Sequence, residues 1–250
     1  MDARVAGDLA ARSAQLGYAS LWSNDDPTAP GLETLAHFAA GAPSLDLGVG
    51  VLPLHRYSPT EIAADVDRLG LDPARLWVGI GSGQLHPQLD AVRRAVGELR
   101  NLLPSGTRIA VAAMRPALCH LGGAIADGVL LNWMPPAPAA QARQWVHQGA
   151  EDADVAPPVT ALYVRVAVGP GASQRLRADE GRYRTINEGH RRHFAALDVP
   201  LGSVGVAASA RPGVLDGLQP YRSAVDLPIA RVLADADTAS LVAVAEAAAP

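Results

Sequence analysis

Two short apolar runs, one helix apart, constrain this 250-residue chain more than any other feature. The first is Arg108-Ile109-Ala110-Val111-Ala112-Ala113, closed by Met114-Arg115-Pro116. The second is Val129-Leu130-Leu131, between the turn signal Asp127-Gly128 and a tip made of Asn132 and Trp133; Pro135-Pro136 stops it. Runs bounded in this way read as strands buried on both faces, as in a parallel sheet. The stretch between them leaves room for one helix and little else.

The same alternation extends along the chain. Strands are expected near residues 20, 48, 78, 110, 130, 163 and 230, with helical spacing between most of them. Residues 3–17 form a helix stopped by Gly17, and a second helix starts near Gly31. Ser58 caps a helix that has Pro59 at its first position. Residues 87–103 and 141–149 are helical, an arginine-rich segment from Ser173 to Leu197 is helical, and residues 198–214 are irregular. A helix ends over Gly217 to Ala224, and the last helix runs from Thr238 to Ala248.

The charge balance excludes several function classes. Net charge is −4, which gives no basic footprint for nucleic acid. All 21 residues of the Lys+Arg count are arginine, so Schiff-base chemistry and a phosphate-loop lysine are absent. A single cysteine, Cys119, permits no internal disulfide and reads as a small buried hydrophobe. Met1-Asp2-Ala3-Arg4 lacks the apolar core of a secretory signal, and no apolar run approaches the roughly 20 residues of a membrane span. A cytoplasmic setting is expected.

In barrels of alternating strands and helices, function gathers at the C-terminal ends of the strands. That rule selects Ser23, Asn24 and Asp25; Gly50 and Val51; Gly81, Ser82 and Gly83; Ala113, Met114 and Arg115; and Asn132 and Trp133. These tips are small or neutral, with no Ser-His-Asp arrangement and no paired carboxylates. Such a site points to a cofactor that performs the chemistry while the protein binds and orients it.

Several of these features have two readings. Gly79-Ile80-Gly81-Ser82-Gly83 is a strand exit that exploits the freedom of glycine or, although it lacks the Rossmann spacing, a dinucleotide turn. Asp25-Asp26-Pro27 is a capping turn or part of a site. Arg115, at a helix start, is a solvated arginine or a phosphate contact. Trp133 walls a pocket or packs under a loop. Glu188, His190 and His193 lie on a charged helix, and no metal site is expected there.

The two opening runs also carry a family resemblance. Ala112-Ala113-Met114-Arg115-Pro116 and the stretch from Ala126 to Trp133 resemble the "A-x-G-P" turn and the "ADGVLLNW" strand of the luciferase-like oxidoreductases, especially the branch using the deazaflavin coenzyme F420. Arg115 stands where that family has glycine. The resemblance implies an α/β fold, a (β/α)8 TIM barrel of the luciferase-like type, over residues 1–250 as one domain. It spans most of the chain and is strongest over 108–136. The family's first strand has no counterpart beside Met1, so the first strand is expected to be lacking or replaced and the chain to be shortened at its start or to begin upstream.

The resemblance further implies an oxidoreductase that binds coenzyme F420, or alternatively FMN, at the barrel mouth. It would transfer hydride or activate oxygen on a small organic substrate. Asp25 and Asn24 hold the place of a family Asp-His pair and are the catalytic candidates, although no histidine is present; the other strand-tip residues are the cofactor-binding candidates. A non-proline cis peptide is implied at Gly50-Val51, behind the ring. The rival reading is a non-catalytic, truncated flavin-binding or interaction protein of the same fold. An open sheet edge would favour a homodimer.

Overall fold

The computed structural model describes residues 2–235 and 237–250; Met1, where the family's first strand would lie, is outside them. Strands and helices alternate in the order α1 (Ala3–Gln15), β1 (Ser20–Ser23), α2 (Gly31–Gly41), β2 (Asp46–Pro53), α3 (Pro59–Arg68), β3 (Leu76–Gly81), α4 (Gln88–Leu102), β4 (Arg108–Ala113), α5 (Pro116–Ile125), β5 (Gly128–Asn132) and α6 (Pro136–Asp152). Then come β6 (Val159–Val168), α7 (Ala172–Ile186), α8 (Glu188–Leu197), β7 (Val206–Ala208), α9 (Arg211–Ala224), β8 (Leu227–Val232) and α10 (Thr238–Ala248).

The strands pair in parallel from β1 through β6 in chain order. β6 is ten residues long, and its far edge serves two partners. β8 pairs with Ala161 to Val166, and the short β7 pairs only with Val166 to Val168. The result is a nearly closed parallel barrel whose wall is β1 to β6 and β8, the seven strands expected from the sequence.

The period-two alternation of each strand separates two kinds of surface. Val49, Val78, Ile80, Val111, Val129, Leu131, Leu162 and Val164 face outward and bury themselves beneath the helices. Trp22, Leu130, Ala161 and Tyr163 face inward and form a separate cluster with Val51, Leu227 and Ile229. Gly48 and Gly128 stand opposite the Trp22 and Trp77 rings, and a Cβ on either would collide with them. The barrel interior is thus packed below its mouth by a few large rings set against glycines.

β1 and β8 are not hydrogen-bonded to each other, and side chains bridge the seam between them. Tyr163 Oη donates to Ser23 O at 3.2 Å, and an Arg231 Nη donates to Asn24 Oδ1. Outside the seam, α1 meets α10. Tyr18 Oη donates to Ala245 O at 2.7 Å, and Arg12 pairs with Glu246 at 2.6 Å. Every residue of β8 is half-buried, as befits a strand paired along one edge.

The local chemistry sets the helix ends. Ser58 and Glu61 form a reciprocal capping box with Pro59 in the first turn, as the sequence predicts. α6 begins at Pro136, five residues before the expected start, because prolines in a first turn leave no needed N–H unused. The segment 173–197 is two helices, not one. Asn187 breaks it and then accepts from His190 N at 2.9 Å to cap α8. Residues 198–214, expected to be irregular, contain β7 and the start of α9.

Candidate functional site

Registered neighbours in a parallel sheet share a face, so the residues that ring the barrel mouth can be read from the pairing. Trp22 lies beside Gly48, Ala112 beside Leu130, Asn132 beside Tyr163, and Arg165 beside Arg231. Leu130 and Tyr163 face inward, so Ala112 and Asn132 do too. The uppermost inward layer therefore consists of Asn24, Gly50 and Val51, Gly81, Ala112, Asn132, Arg165 and Arg231. One half, over β2 to β4, is small and nonpolar. The other, over β5, β6, β8 and β1, carries two amides and two guanidiniums.

On the small half, the β2–β3 register shifts between Val49 and Leu52, so Gly50 and Val51 together stand opposite Gly79, one residue more than the partner strand supplies. The Gly50-Val51 peptide is cis, as the family resemblance implies. Gly50 is glycine for a packing reason: a Cβ there would lie 2.2 Å from Tyr163 Oη. Asn24 Nδ2 donates to Gly50 O at 3.0 Å and so fixes this turn from across β1. Gly81 faces Val51 and Ala112, and Ala112 is half-exposed. Ser82 is buried, and Gly83 is exposed at φ 58° against the His55 ring.

The other predicted residues separate into groups. Ser23 is buried and its hydroxyl donates to Gly31 O at 2.8 Å. Asp25 has a fully buried side chain that accepts from Gly31 N and Tyr57 Oη, each at 3.1 Å, with Arg56 also at 3.1 Å. It ties the β1 exit to the start of α2, while Asn24 is exposed at the mouth. Ala113 and Met114 pack outward under the helices, and Arg115 is exposed immediately before α5.

Trp133 turns away from the mouth. Its backbone is left-handed at φ 53° and its ring is fully buried against Tyr183 and Phe194 from α7 and α8. The Arg165 guanidinium lies on the ring, 3.6 Å from its centroid. His193 Nε2 donates to Trp133 O at 2.8 Å, and burial holds the His193 imidazole below its ordinary range. Burial, with His193 and Arg165 nearby, pushes His190 down to about 4. The α7–α8 hairpin is thereby fastened over the end of β5.

Sequence reasoning passed over Tyr163, Arg165 and Arg231. The signal was present: Arg165 interrupts Val164 and Val166, and Arg231 interrupts Ala230 and Val232. A charged side chain within an apolar strand tip must find partners or a ligand. Arg165 is 1% exposed, donates to Asn132 Oδ1 and lies 3.5 Å from Asp179. Burial and the neighbouring Arg231 push its guanidinium down to about 9, still protonated at neutral pH. Two surface cavities, of about 340 and 290 Å³, lie elsewhere, among α4 to α6 and beside α7 and α8.

Residues 1–97 match the family model described as luciferase-like monooxygenase. The likeness is to the luciferase-like family. The matched stretch runs from α1 into α4, ahead of residues 108–136, which carry the strand-tip motifs. No curated protein matches the sequence.

Solved structures share the luciferase-like fold over nearly the whole chain. An F420-dependent secondary alcohol dehydrogenase, in complex with an F420–acetone adduct, superposes at a TM-score of 0.80 with 15% identity, covering 99% of this chain and 96% of that one. A coenzyme F420-dependent tetrahydromethanopterin reductase from Methanopyrus kandleri gives 0.72 at 14% identity, covering 99% and 94%. The oxygenating constituent of 3,6-diketocamphane monooxygenase from Pseudomonas putida, in complex with FMN, gives 0.69 at 13% identity, covering 100% and 94%. Identities this low establish the fold and leave the reaction to the site itself.

Proposed function

We propose that the chain is an oxidoreductase that binds coenzyme F420, with FMN as the alternative, at the mouth of its barrel and acts on a small organic substrate. The observation that carries this reading is the division of the uppermost layer. A small face made of Val51, Gly81 and Ala112 stands opposite a hydrogen-bonding face made of Asn24, Asn132, Arg165 and Arg231. A flat heterocycle with polar edges needs both kinds of surface at once. The residues present fit such a group. Arg115 and the first N–H groups of α5 would meet its phosphate.

The bound ring would supply the hydride or oxygen chemistry, since the strand tips, among the described residues, hold no Ser-His-Asp arrangement and no paired carboxylates. The chain's own residues bind and orient. Asn24 presents its amide at the mouth while holding Gly50 O, and Asp25 positions Asn24 by anchoring the β1 exit to α2. The α7–α8 hairpin limits water on the β5 side by covering Trp133 and Arg165. Hydride transfer is favoured over oxygen activation by the F420-type words of the β5 strand. The test is titration of the purified protein with F420 and with FMN, followed by fluorescence quenching. Saturable binding of either at micromolar concentration is expected; failure of both ends the oxidoreductase reading.

A further inference from the structure

The two arginines of the uppermost inward layer have one carboxylate near them, and it lies beside Arg165. Arg165 and Arg231 are registered partners on adjacent strands, so their Cα atoms are about 5 Å apart and their side chains share the inner face. Each donates to a neutral amide, Arg165 to Asn132 and Arg231 to Asn24. Asp179 is the acid beside Arg165, at 3.5 Å, but it is shared with Arg182 at 2.9 Å. Among the described residues, no carboxylate lies within ion-pair distance of Arg231. The Arg231 Nε is buried without a hydrogen-bond partner, and the Arg165 Nε has only the 3.5 Å contact to Asp179.

Two adjacent guanidiniums with one acid beside them, itself shared with Arg182, repel each other, and that repulsion contributes to the depressed pKa of Arg165. A core pair kept only for packing would be more stable as apolar residues. We infer that Arg165 and Arg231, flanked by Asn24 and Asn132, form an oxyanion subsite, so that the ligand of this mouth carries a carboxylate or a phosphate. The paired forks offer planar donors suited to two oxygens of such a group. The asparagines occupy the guanidiniums in the meantime, each through a contact with one charge rather than the two of an ion pair. The inference rests on the reading that the barrel mouth is the binding site. It extends that reading by naming the charge of what binds there.

The test is isothermal titration of the full chain with inorganic phosphate and with acetate, repeated on Arg231→Gln and on Arg192→Gln. Arg192 is exposed on α8 and serves as the charge-matched control. Saturable binding that weakens roughly tenfold or more in Arg231→Gln, but not in Arg192→Gln, is expected. Equal weakening in both variants, or no saturable binding by the native chain, overturns the subsite. Circular dichroism of Arg231→Gln verifies that it folds. If it does not, Arg231→Lys replaces it and must bind acetate more weakly than the native chain, since a point charge cannot match a fork.

Two further arms assign the anion. Phosphate displaced by FMN but not by riboflavin places the cofactor's own phosphate between the arginines rather than at Arg115. Phosphate that binds equally in the presence of either flavin assigns the subsite to the substrate. Either result upholds the subsite. Anion binding without any flavin or F420 binding would reject the cofactor reading while leaving this inference standing.

Discussion

Removing the Glu180 carboxylate should loosen the hairpin that covers the barrel mouth. Glu180 is fully buried, yet both of its oxygens are occupied. Oε1 accepts from Arg184 Nε at 3.0 Å and Arg184 Nη2 at 2.7 Å. Oε2 accepts from Gly202 N at 3.0 Å and Val204 N at 3.1 Å. Glu180→Ala strands two backbone donors, of which the Val204 N–H is buried, and each stranded group costs about 1–3 kcal/mol. Breaking a buried pair costs about 3–5 kcal/mol in general, but Arg184 is 27% exposed and keeps Val199 O at 2.7 Å, so its share is at the low end. The sum is about 4–6 kcal/mol for Glu180→Ala, about 3 for the pair and about 1–3 for the buried Val204 donor. Glu180→Gln keeps an acceptor for the backbone pair and should cost about 1–2 kcal/mol. Urea unfolding at neutral pH measures the global effect through the midpoint at constant slope. Limited proteolysis between α8 and β7 measures local opening. A Glu180→Ala protein that matches the native chain in both measurements would refute the claim that this carboxylate holds the hairpin.

The histidines of the hairpin predict a pH dependence. Both His190 and His193 are held below their ordinary range, chiefly by burial, so the unfolded chain binds protons that the fold refuses. Their contribution is intact above a pH of about 6.5 and is lost as the pH falls toward about 4, the value to which His190 is pushed. The urea midpoint should fall through that window and fall less in His190→Gln; an unchanged slope in that variant argues against the assignment. Gly50→Ala should destabilise the barrel by about 1–3 kcal/mol, because the new methyl would meet Tyr163 Oη at 2.2 Å and Leu130 at 2.6 Å. Thermal unfolding checks this, and a melting temperature equal to the native one would show that the interior is looser than the packing implies.

The fold was legible because it depends on local patterns. The seven wall strands could be read from apolar runs bounded by Gly, Pro and Asp, and Ser58-Pro59 announced its helix. β7 was not legible: three residues carry almost no periodicity, and they pair only because β6 extends beyond β8. The break at Asn187 was hidden because the flanking residues are uniformly polar. At the mouth, the strand-end rule found Asn24, Gly50, Val51, Gly81 and Asn132 by position. It also selected Trp133, whose ring faces the hairpin, and Ala113 and Met114, which face outward. A strand tip presents alternate residues to opposite faces, and one register step decides which of them a ligand could meet.

The sequence by itself determined the alternation of strand and helix, the caps and the bland chemistry of the strand ends, because each depends on residues a few positions apart. Only the tertiary structure decided that Arg165 and Arg231 stand side by side, that Asn24 reaches both Gly50 and Arg231, and that the seam between β1 and β8 is bridged by side chains. Those contacts join residues 26 to 207 positions apart, and sheet register brings them together.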